Sequence, residues 1–149
     1  MKAHIRPLLL GDEKTWLEMR SQLWPEYTMA ELQEDQLRIQ SAPSRNAVFV
    51  AENSAGIPIG FVEVSIRDWA EGCRTEPVGY LEGWYVLTEY RQQGIGKELV
   101  EAAENWAIAK GCSEMASDTE RQNQLSRDAL KALGYREVAE VVSFCKPLK

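Results

Sequence analysis

Residues 78–118 restrict the possible folds more than any other part of the chain. An apolar run over 78–87 reads as a strand, after which Ile95, Leu99, Ala102, Ala103 and Trp106 recur on one face of a long helix that Gly111 closes. Residues 114–118 read as a second strand. A crossover of that length joins parallel strands, and it is right-handed because a twisted strand and a helix pack back onto the sheet only that way. In such sheets ligands bind where the carboxyl ends of parallel strands meet helix starts, so Val86-Leu87 and Ser117-Asp118 should border a site.

The flanking segments fit around this unit. Residues 4–8 predict a short strand, and Trp16, Met19 and Leu23 recur at helical spacing behind Gly11-Asp12, in a helix that ends near Trp24-Pro25. A second helix is expected over 29–40, stopped by Ser41-Ala42-Pro43. Strands over 47–52 and 59–66 enclose the turn-forming residues 53–58 and should be antiparallel. A helix over 123–133, ended by Gly134, and two short β segments through 138–146 complete the pattern. With no internal repeat and no Pro/Gly/Ser-rich linker, the expectation is one domain over residues 1–149, of the α/β (α+β) class, with a mixed central sheet flanked by helices.

Composition excludes several function classes. The net charge of −6 argues against a nucleic-acid phosphate backbone as partner; it is compatible with a cationic partner and equally with simple solubility. No apolar run approaches the roughly 20 residues that span a bilayer, and the start, Met1-Lys2-Ala3-His4-Ile5-Arg6-Pro7, lacks the apolar stretch of a secretory signal. A cytoplasmic protein without membrane partners is expected. Cys73, Cys112 and Cys145 form no C-x-x-C pair, so neither a disulfide framework nor a metal site is expected.

Between the strand and the long helix stands Arg91-Gln92-Gln93-Gly94-Ile95-Gly96-Lys97. Its glycines permit conformations and close approaches that side chains would block, and the first turn of the helix leaves about four amides unpaired at the positive end of a dipole. A pyrophosphate can be held there by backbone alone, with Lys97 and Arg91 adding charge. In isolation such a string also describes an ordinary helix start.

Two carboxylates stand out. Glu82 lies inside an apolar strand, where a charge requires either a neighbouring Arg or Lys or a cationic ligand. Asp118 ends a strand at the expected cleft, as an Asx turn or cap, or as a group facing a substrate. The only histidine, His4, sits in the first strand and reads as structural.

The strand Tyr80-Leu81-Glu82-Gly83-Trp84-Tyr85-Val86-Leu87, the glycine loop and the amphipathic helix together resemble the acetyl-CoA-binding motif of GNAT N-acetyltransferases, and the resemblance extends over nearly the full length. It implies the GNAT fold, with a splayed parallel strand pair that admits the cofactor arm, and a C-terminal hairpin. It also implies acetyl-CoA as co-substrate, with no metal. Trp84, Tyr85 and Val86 match the segment whose backbone binds the pantetheine arm like another strand; Arg91, Gln92, Gln93, Gly94, Ile95, Gly96 and Lys97 match the pyrophosphate loop; Asn123 and Ser126 match positions near the thioester end. A backbone N–H near Val86 is implied as the donor to the developing oxyanion.

Leu81-Glu82-Gly83, Gly111-Cys112, Met115-Ala116-Ser117-Asp118-Thr119 and Leu23-Trp24-Pro25 look like strings of the aminoglycoside 6′-N-acetyltransferases within that family. That likeness implies direct acetyl transfer to the 6′-amine of an aminoglycoside, with antibiotic resistance as the outcome. Asp118 would serve as general base, Glu82 as substrate anchor, and Trp24, Tyr27 and Trp69 as residues around the sugar, although each aromatic equally fits core or surface packing. The acceptor could also be another amine, and a non-catalytic acyl-CoA-binding module would share the cofactor loop.

Three positions depart from the family pattern. Leu130 stands where many GNAT enzymes carry the Tyr that protonates the leaving thiolate, Phe144 and Cys145 where the last strand often carries a Tyr, and Trp69 where the subgroup tends to have Tyr. The β-branched stretch over 138–144 could pair with a second subunit as in the subgroup's homodimers, bringing Glu137 and Glu140 toward the partner's pocket.

Overall fold

A computed structural model describes residues 3–149. Chain order is β1 (His4–Pro7), a 3-10 turn (Leu10–Asp12), α1 (Glu13–Leu23), α2 (Met29–Gln40), β2 (Asn46–Glu52), β3 (Pro58–Arg67), β4 (Val78–Val86), a second 3-10 turn (Thr88–Tyr90), α3 (Ile95–Ala109), β5 (Met115–Ser117) and α4 (Gln124–Ala132). The strands form one sheet in the order β1-β2-β3-β4-β5, antiparallel throughout except for the parallel β4–β5 pair.

Local chemistry explains the element limits. Thr28 caps α2: its hydroxyl accepts the Glu31 N–H at 3.1 Å while the Glu31 carboxylate accepts the Thr28 N–H at 2.9 Å, a reciprocal cap worth about 1 kcal/mol. Asn123 caps α4 by accepting the Ser126 N–H at 3.1 Å. The strand expected over 114–118 is shorter than that range, pairing only over Met115–Ser117.

The sheet is packed on both faces. Ile95, Leu99, Val100 and Ala103 of α3 bury against Val62, Val64 and Leu81. Residues alternate along a strand, so Phe61, with Val48 and Val50, faces the other way, onto Trp16 and Met19 of α1 and Ile39 of α2.

That second face also carries a buried ion pair. Glu63 accepts hydrogen bonds from Arg20 Nε at 2.6 Å, from an Arg20 terminal nitrogen at 3.2 Å and from Trp16 Nε1 at 2.9 Å. Arg20 spends its other donors on the Leu32 carbonyl at 2.9 Å and the Asp35 carboxylate at 2.5 Å. Arg20 and Glu63 are 1% and 3% exposed, so neither charge is answered by water. Burial pushes the Glu63 carboxyl up, opposed by the hydrogen bonds and charge of Arg20. One guanidinium thus joins α1, α2 and β3.

The two β segments expected over 138–146 do not form: residues 135–149 have no regular secondary structure. Arg127 pairs with Glu137 at 2.8 Å and Arg121 with Glu140 at 3.4 Å, after which Val141, Val142, Phe144 and Leu148 are 67%, 80%, 93% and 87% exposed. β propensity reflects how a side chain fits a half-buried pleated surface, and this segment finds no such surface within its own chain.

Replacing Arg20 by Met leaves the Glu63 carboxylate buried without its cation, a change that costs about 3–5 kcal/mol. Urea denaturation at pH 7 should register that loss. The deficit should be smaller at pH 5, because burial raises the Glu63 pKa and a protonated carboxyl is less costly to bury. A deficit below 1 kcal/mol at pH 7 would contradict the pairing.

Candidate active site

β4 and β5 are hydrogen-bonded neighbours only at Gly79↔Met115, Tyr80↔Ala116 and Leu81↔Ser117. Ser117 Oγ then donates to the Leu81 carbonyl at 3.0 Å, and beyond that point the strands part. On its other side β4 stays paired with β3 as far as Gly60↔Val86. The Leu87 N–H donates to the Ile59 carbonyl at 2.9 Å, which makes Gly60↔Val86 a non-hydrogen-bonded pair. In the antiparallel alternation, the N–H and C=O of Val86, and of Trp84 two residues earlier, therefore point away from β3 into the fork. The Val86 carbonyl accepts Arg91 Nε at 2.7 Å. A slot lined by backbone donors and acceptors, where a neighbouring strand would lie, suits an extended amide-containing chain.

At the open end of the slot the loop turns into α3. Gly94 has φ 83° and Gln92 φ 64°, both left-handed, which turns successive amides to one side in the manner of an anion-binding nest. The Glu98 N–H takes the Gly94 carbonyl at 3.1 Å, leaving the first-turn amides of Ile95, Gly96 and Lys97 without intrahelical partners. Slot and nest are continuous, so the residues present fit a pyrophosphate carrying an amide-containing arm. Arg91 engages β4, lying 5.2 Å from the Tyr85 ring centre, rather than reaching over the nest.

The carboxylates lie on the sheet face that α1 and α2 cover. The register passes from Glu63↔Gly83 to Val64↔Leu81, so Glu82 is the extra residue of a β-bulge. A bulge bends its strand and re-aims a side chain, here toward Ser65 and Arg67. Ser65 Oγ donates to Glu82 at 2.5 Å, and Arg67 grips the same carboxylate with bonds of 3.0 and 2.8 Å. The Arg67 guanidinium in turn stacks on Tyr80, 3.5 Å from the ring centre, and the Tyr80 hydroxyl donates to Asp118. Burial opposes the charge on Arg67, and the Glu82 bonds and charge outweigh it, so its pKa is raised. Burial first, and then the bond to Asp118, push the Tyr80 phenol well above its ordinary range. Of the two readings open for Glu82, the structure shows the paired one.

Glu82 and Arg67 open into a cleft of about 1140 Å³ that Trp24 and Tyr27 also line. Trp24 reaches it because Gly83 has no side chain: a Cβ there would stand 2.5 Å from the indole. Trp69, 66% exposed, is not part of that cleft. Asn123 and Ser126 serve as cap and capped amide of α4. His4 holds Glu52 at 3.0 Å on the surface, as its structural reading expected. Leu130 packs against the core, and Glu137 and Glu140 are neutralised by arginines of their own chain.

Reading the sequence missed Ser65, Arg67 and Tyr80. Ser65 lies in the strand expected over 59–66 and Arg67 one residue past its expected end, in a strand that runs on to Arg67; their two-residue spacing was the available signal. Tyr80 carried none beyond strand composition. Among the described residues no cluster of His, Cys, Asp and Glu could hold a metal, and no helix is long and apolar enough to cross a membrane.

Residues 15–135 match the acetyltransferase (GNAT) family. An aminoglycoside N(6′)-acetyltransferase type 1 of Klebsiella aerogenes is 44% identical over 97% of this chain and 96% of its own length, and one from Salmonella typhimurium is 38% identical over 88% and 90%. Among solved structures, AAC(6′)-Iy in complex with the bisubstrate analogue CoA-S-monomethyl-acetylneamine superposes with a TM-score of 0.91 at 36% identity, covering 99% of each chain. The apo structure of AAC(6′)-Ig from Acinetobacter haemolyticus gives 0.91 at 33%, over 98% and 99%. Forked sheet, amide nest and full-length similarity agree, and the chain belongs to the acetyltransferase (GNAT) family.

Proposed function

We propose that the protein, one domain over residues 1–149, transfers an acetyl group from acetyl-CoA to the 6′-amino group of aminoglycosides by direct attack in a ternary complex, conferring antibiotic resistance. The observation that carries this reading is the meeting of the β4–β5 fork with a sheet face bearing two carboxylates, Glu82 and Asp118. The aminoglycoside named in the Klebsiella relative and the acetylneamine analogue bound by AAC(6′)-Iy support the choice of acceptor.

Bound acetyl-CoA supplies the acetyl group as a thioester. The nest of Gln92, Gln93, Gly94, Ile95, Gly96 and Lys97 holds its diphosphate, Arg91 braces the adjoining strand through the Val86 carbonyl, and Trp84 and Val86, on either side of Tyr85, orient its arm through the backbone groups that face the fork. Asn123 and Ser126, at the start of α4, flank the thioester end. A backbone N–H near Val86, as the family resemblance implies, donates to the developing oxyanion; the Val86 N–H faces the fork, whereas that of Leu87 is committed to Ile59. An ammonium is not a nucleophile, so Asp118 takes the proton of the attacking amine, directly or through water, while Glu82 anchors the substrate. Trp24 and Tyr27 wall the sugar, while Trp69, outside the cleft lining, is assigned to the sugar by the family resemblance alone. Holding amine and thioester together supplies most of the remaining acceleration.

We place the enzyme in the cytoplasm as a homodimer. The apolar arm from Val138 to Leu148 supports an assembly in which a second copy covers it, since an exposed, β-branched segment gains most by pairing with another chain. Equilibrium sedimentation should give the mass of two 16.9 kDa chains, and deletion of residues 137–149 should give one. A monodisperse full-length monomer would remove the dimer.

Purified protein should release free thiol from acetyl-CoA when kanamycin or tobramycin is added. Asp118→Asn should lower kcat/KM by about 10²- to 10⁴-fold with acetyl-CoA affinity nearly unaltered. Silence across an aminoglycoside panel, with acetyl-CoA still bound, would reject the acceptor.

The nest gives an independent test. Gly94→Val forces a β-branched residue to φ 83°, so acetyl-CoA affinity should fall at least tenfold while tobramycin still binds the apo protein. Equal acetyl-CoA affinity in calorimetry would show that the diphosphate sits elsewhere.

A further inference from the structure

Tyr80 has the position of a residue that serves Asp118. It is the middle of the three β4 positions paired with β5, opposite Ala116, and Asp118 follows Ala116 by two residues, on the same side of the sheet. On its other flank Tyr80 is paired with Ser65, and Arg67 follows Ser65 by the same two-residue step. The side chains of Arg67, Tyr80 and Asp118 therefore project from adjacent strands onto one face, and the observed contacts follow: guanidinium on ring, hydroxyl on carboxylate.

The ring is 8% exposed, held beside Ala70 and Val78, whereas Asp118 stands at the exposed end of a strand of only three residues. An exposed aspartate with one methylene samples several rotamers, and a general base must keep one oxygen within hydrogen-bond reach of the proton it takes. Tyr80 engages one oxygen, Oδ2, and fixes the direction of the other. We propose that Tyr80 is a positioning residue for Asp118, its ring clamped in turn by Arg67, so that Ser65–Glu82–Arg67–Tyr80–Asp118 forms a single connected row holding both acceptor-side carboxylates. The phenol keeps its proton at neutral pH, because burial and the bond to Asp118 raise its pKa, and so the hydroxyl is the donor. The row predicts a further asymmetry: Arg67 hydrogen-bonds Glu82 and stacks on Tyr80, whereas the Tyr80 hydroxyl is spent on Asp118. Loss of the phenol hydroxyl should therefore affect the proton-accepting step without affecting substrate anchoring.

This inference rests on Asp118 being the base, and its test separates the two claims. Tyr80→Phe keeps the ring for Arg67 and removes only the hydroxyl. Steady-state kinetics with tobramycin should show kcat reduced about 10- to 100-fold, the range expected for a misplaced catalytic group. The KM for acetyl-CoA, the calorimetric affinity of the apo protein for tobramycin and the thermal midpoint should all stay near wild type. In an Asp118→Ala background the same change should have no further effect, because the group it positions is gone. Unchanged kcat in Tyr80→Phe, or an equal additional loss on top of Asp118→Ala, would overturn the positioning role and leave the acceptor assignment standing. Wild-type protein without aminoglycoside turnover would overturn the acceptor assignment and this inference with it. Arg67→Lys keeps the charge and loses the planar stack; it should lower kcat and also raise the KM for tobramycin, since Glu82 loosens together with Tyr80. A change in neither parameter would detach Arg67 from the row.

Discussion

The hydrogen-bond ladder between β4 and β5 ends at Leu81, while the ladder between β4 and β3 runs on to Val86. One strand is therefore half in the sheet and half at an edge, and the edge half carries the N–H and C=O groups of Trp84 and Val86 with no strand to receive them. Exposed strand edges ordinarily invite pairing with another chain. In the proposed function the same row, of which the Val86 carbonyl already accepts Arg91 Nε, is the edge that an amide-bearing ligand pairs with. The parting coincides with a break in the other ladder: one residue further on, Glu82 is inserted as a bulge against β3. A bulge bends its strand and re-aims a side chain, and here Glu82 turns to Ser65 and Arg67 at the edge of the cleft, so the fork and a cleft-lining charge occur at adjacent positions of one strand.

A bulge in mid-sheet needs support, and it receives it from below. Glu63, the last β3 residue in register before the shift, is the carboxylate buried with Arg20 and Trp16. Such a pair contributes little net stability, because desolvating both charges consumes most of their attraction; breaking it is costly all the same. Its contribution is geometric. Arg20 lies 4.9 Å from the Trp24 ring centre, and Trp24 fills the space above Gly83 that any side chain would take. The α1 helix, the bulged strand and the aromatic wall of the cleft are thus fixed relative to each other by one guanidinium.

The parts of this arrangement legible in the sequence are those governed by near neighbours. α2 was read over 29–40 with Ser41-Ala42-Pro43 as its stop, limits to which the structure adds the Thr28–Glu31 cap, and the loop from Arg91 to Lys97 was readable because its glycines permit the left-handed turn seen at Gly94. What depended on register was not readable. A one-residue bulge changes which side chains of β3 and β4 oppose one another, so Arg67 could not be named as the partner of Glu82, although a partner of that type was required by the charge. Tyr80 was hidden for the same reason, appearing as one more apolar strand residue. The C-terminal segment failed in the opposite sense: Val138, Val141, Val142 and Phe144 have the composition of a strand, and composition says nothing about whether a surface exists to receive it.

The charge balance of the cleft bears on how a polycation would be chosen. The wall includes Glu31, Glu34, Asp35 and Glu82, yet Arg38 neutralises Asp35 and Arg67 neutralises Glu82. The net charge of −6 is therefore not presented as a bare acidic pit, and an incoming ammonium meets Glu82 already bound to an internal cation. Arg67 is 43% exposed and its stack on Tyr80 does not require Glu82, so the guanidinium can keep the ring while yielding a carboxylate oxygen. If Glu82 anchors the substrate as proposed, binding there is an exchange of cations rather than an addition of one. Such an exchange would gain little from charge alone and would favour whichever amine also satisfies the fixed geometry of the row, a basis on which a weakly charged cleft would discriminate among polycations of equal charge.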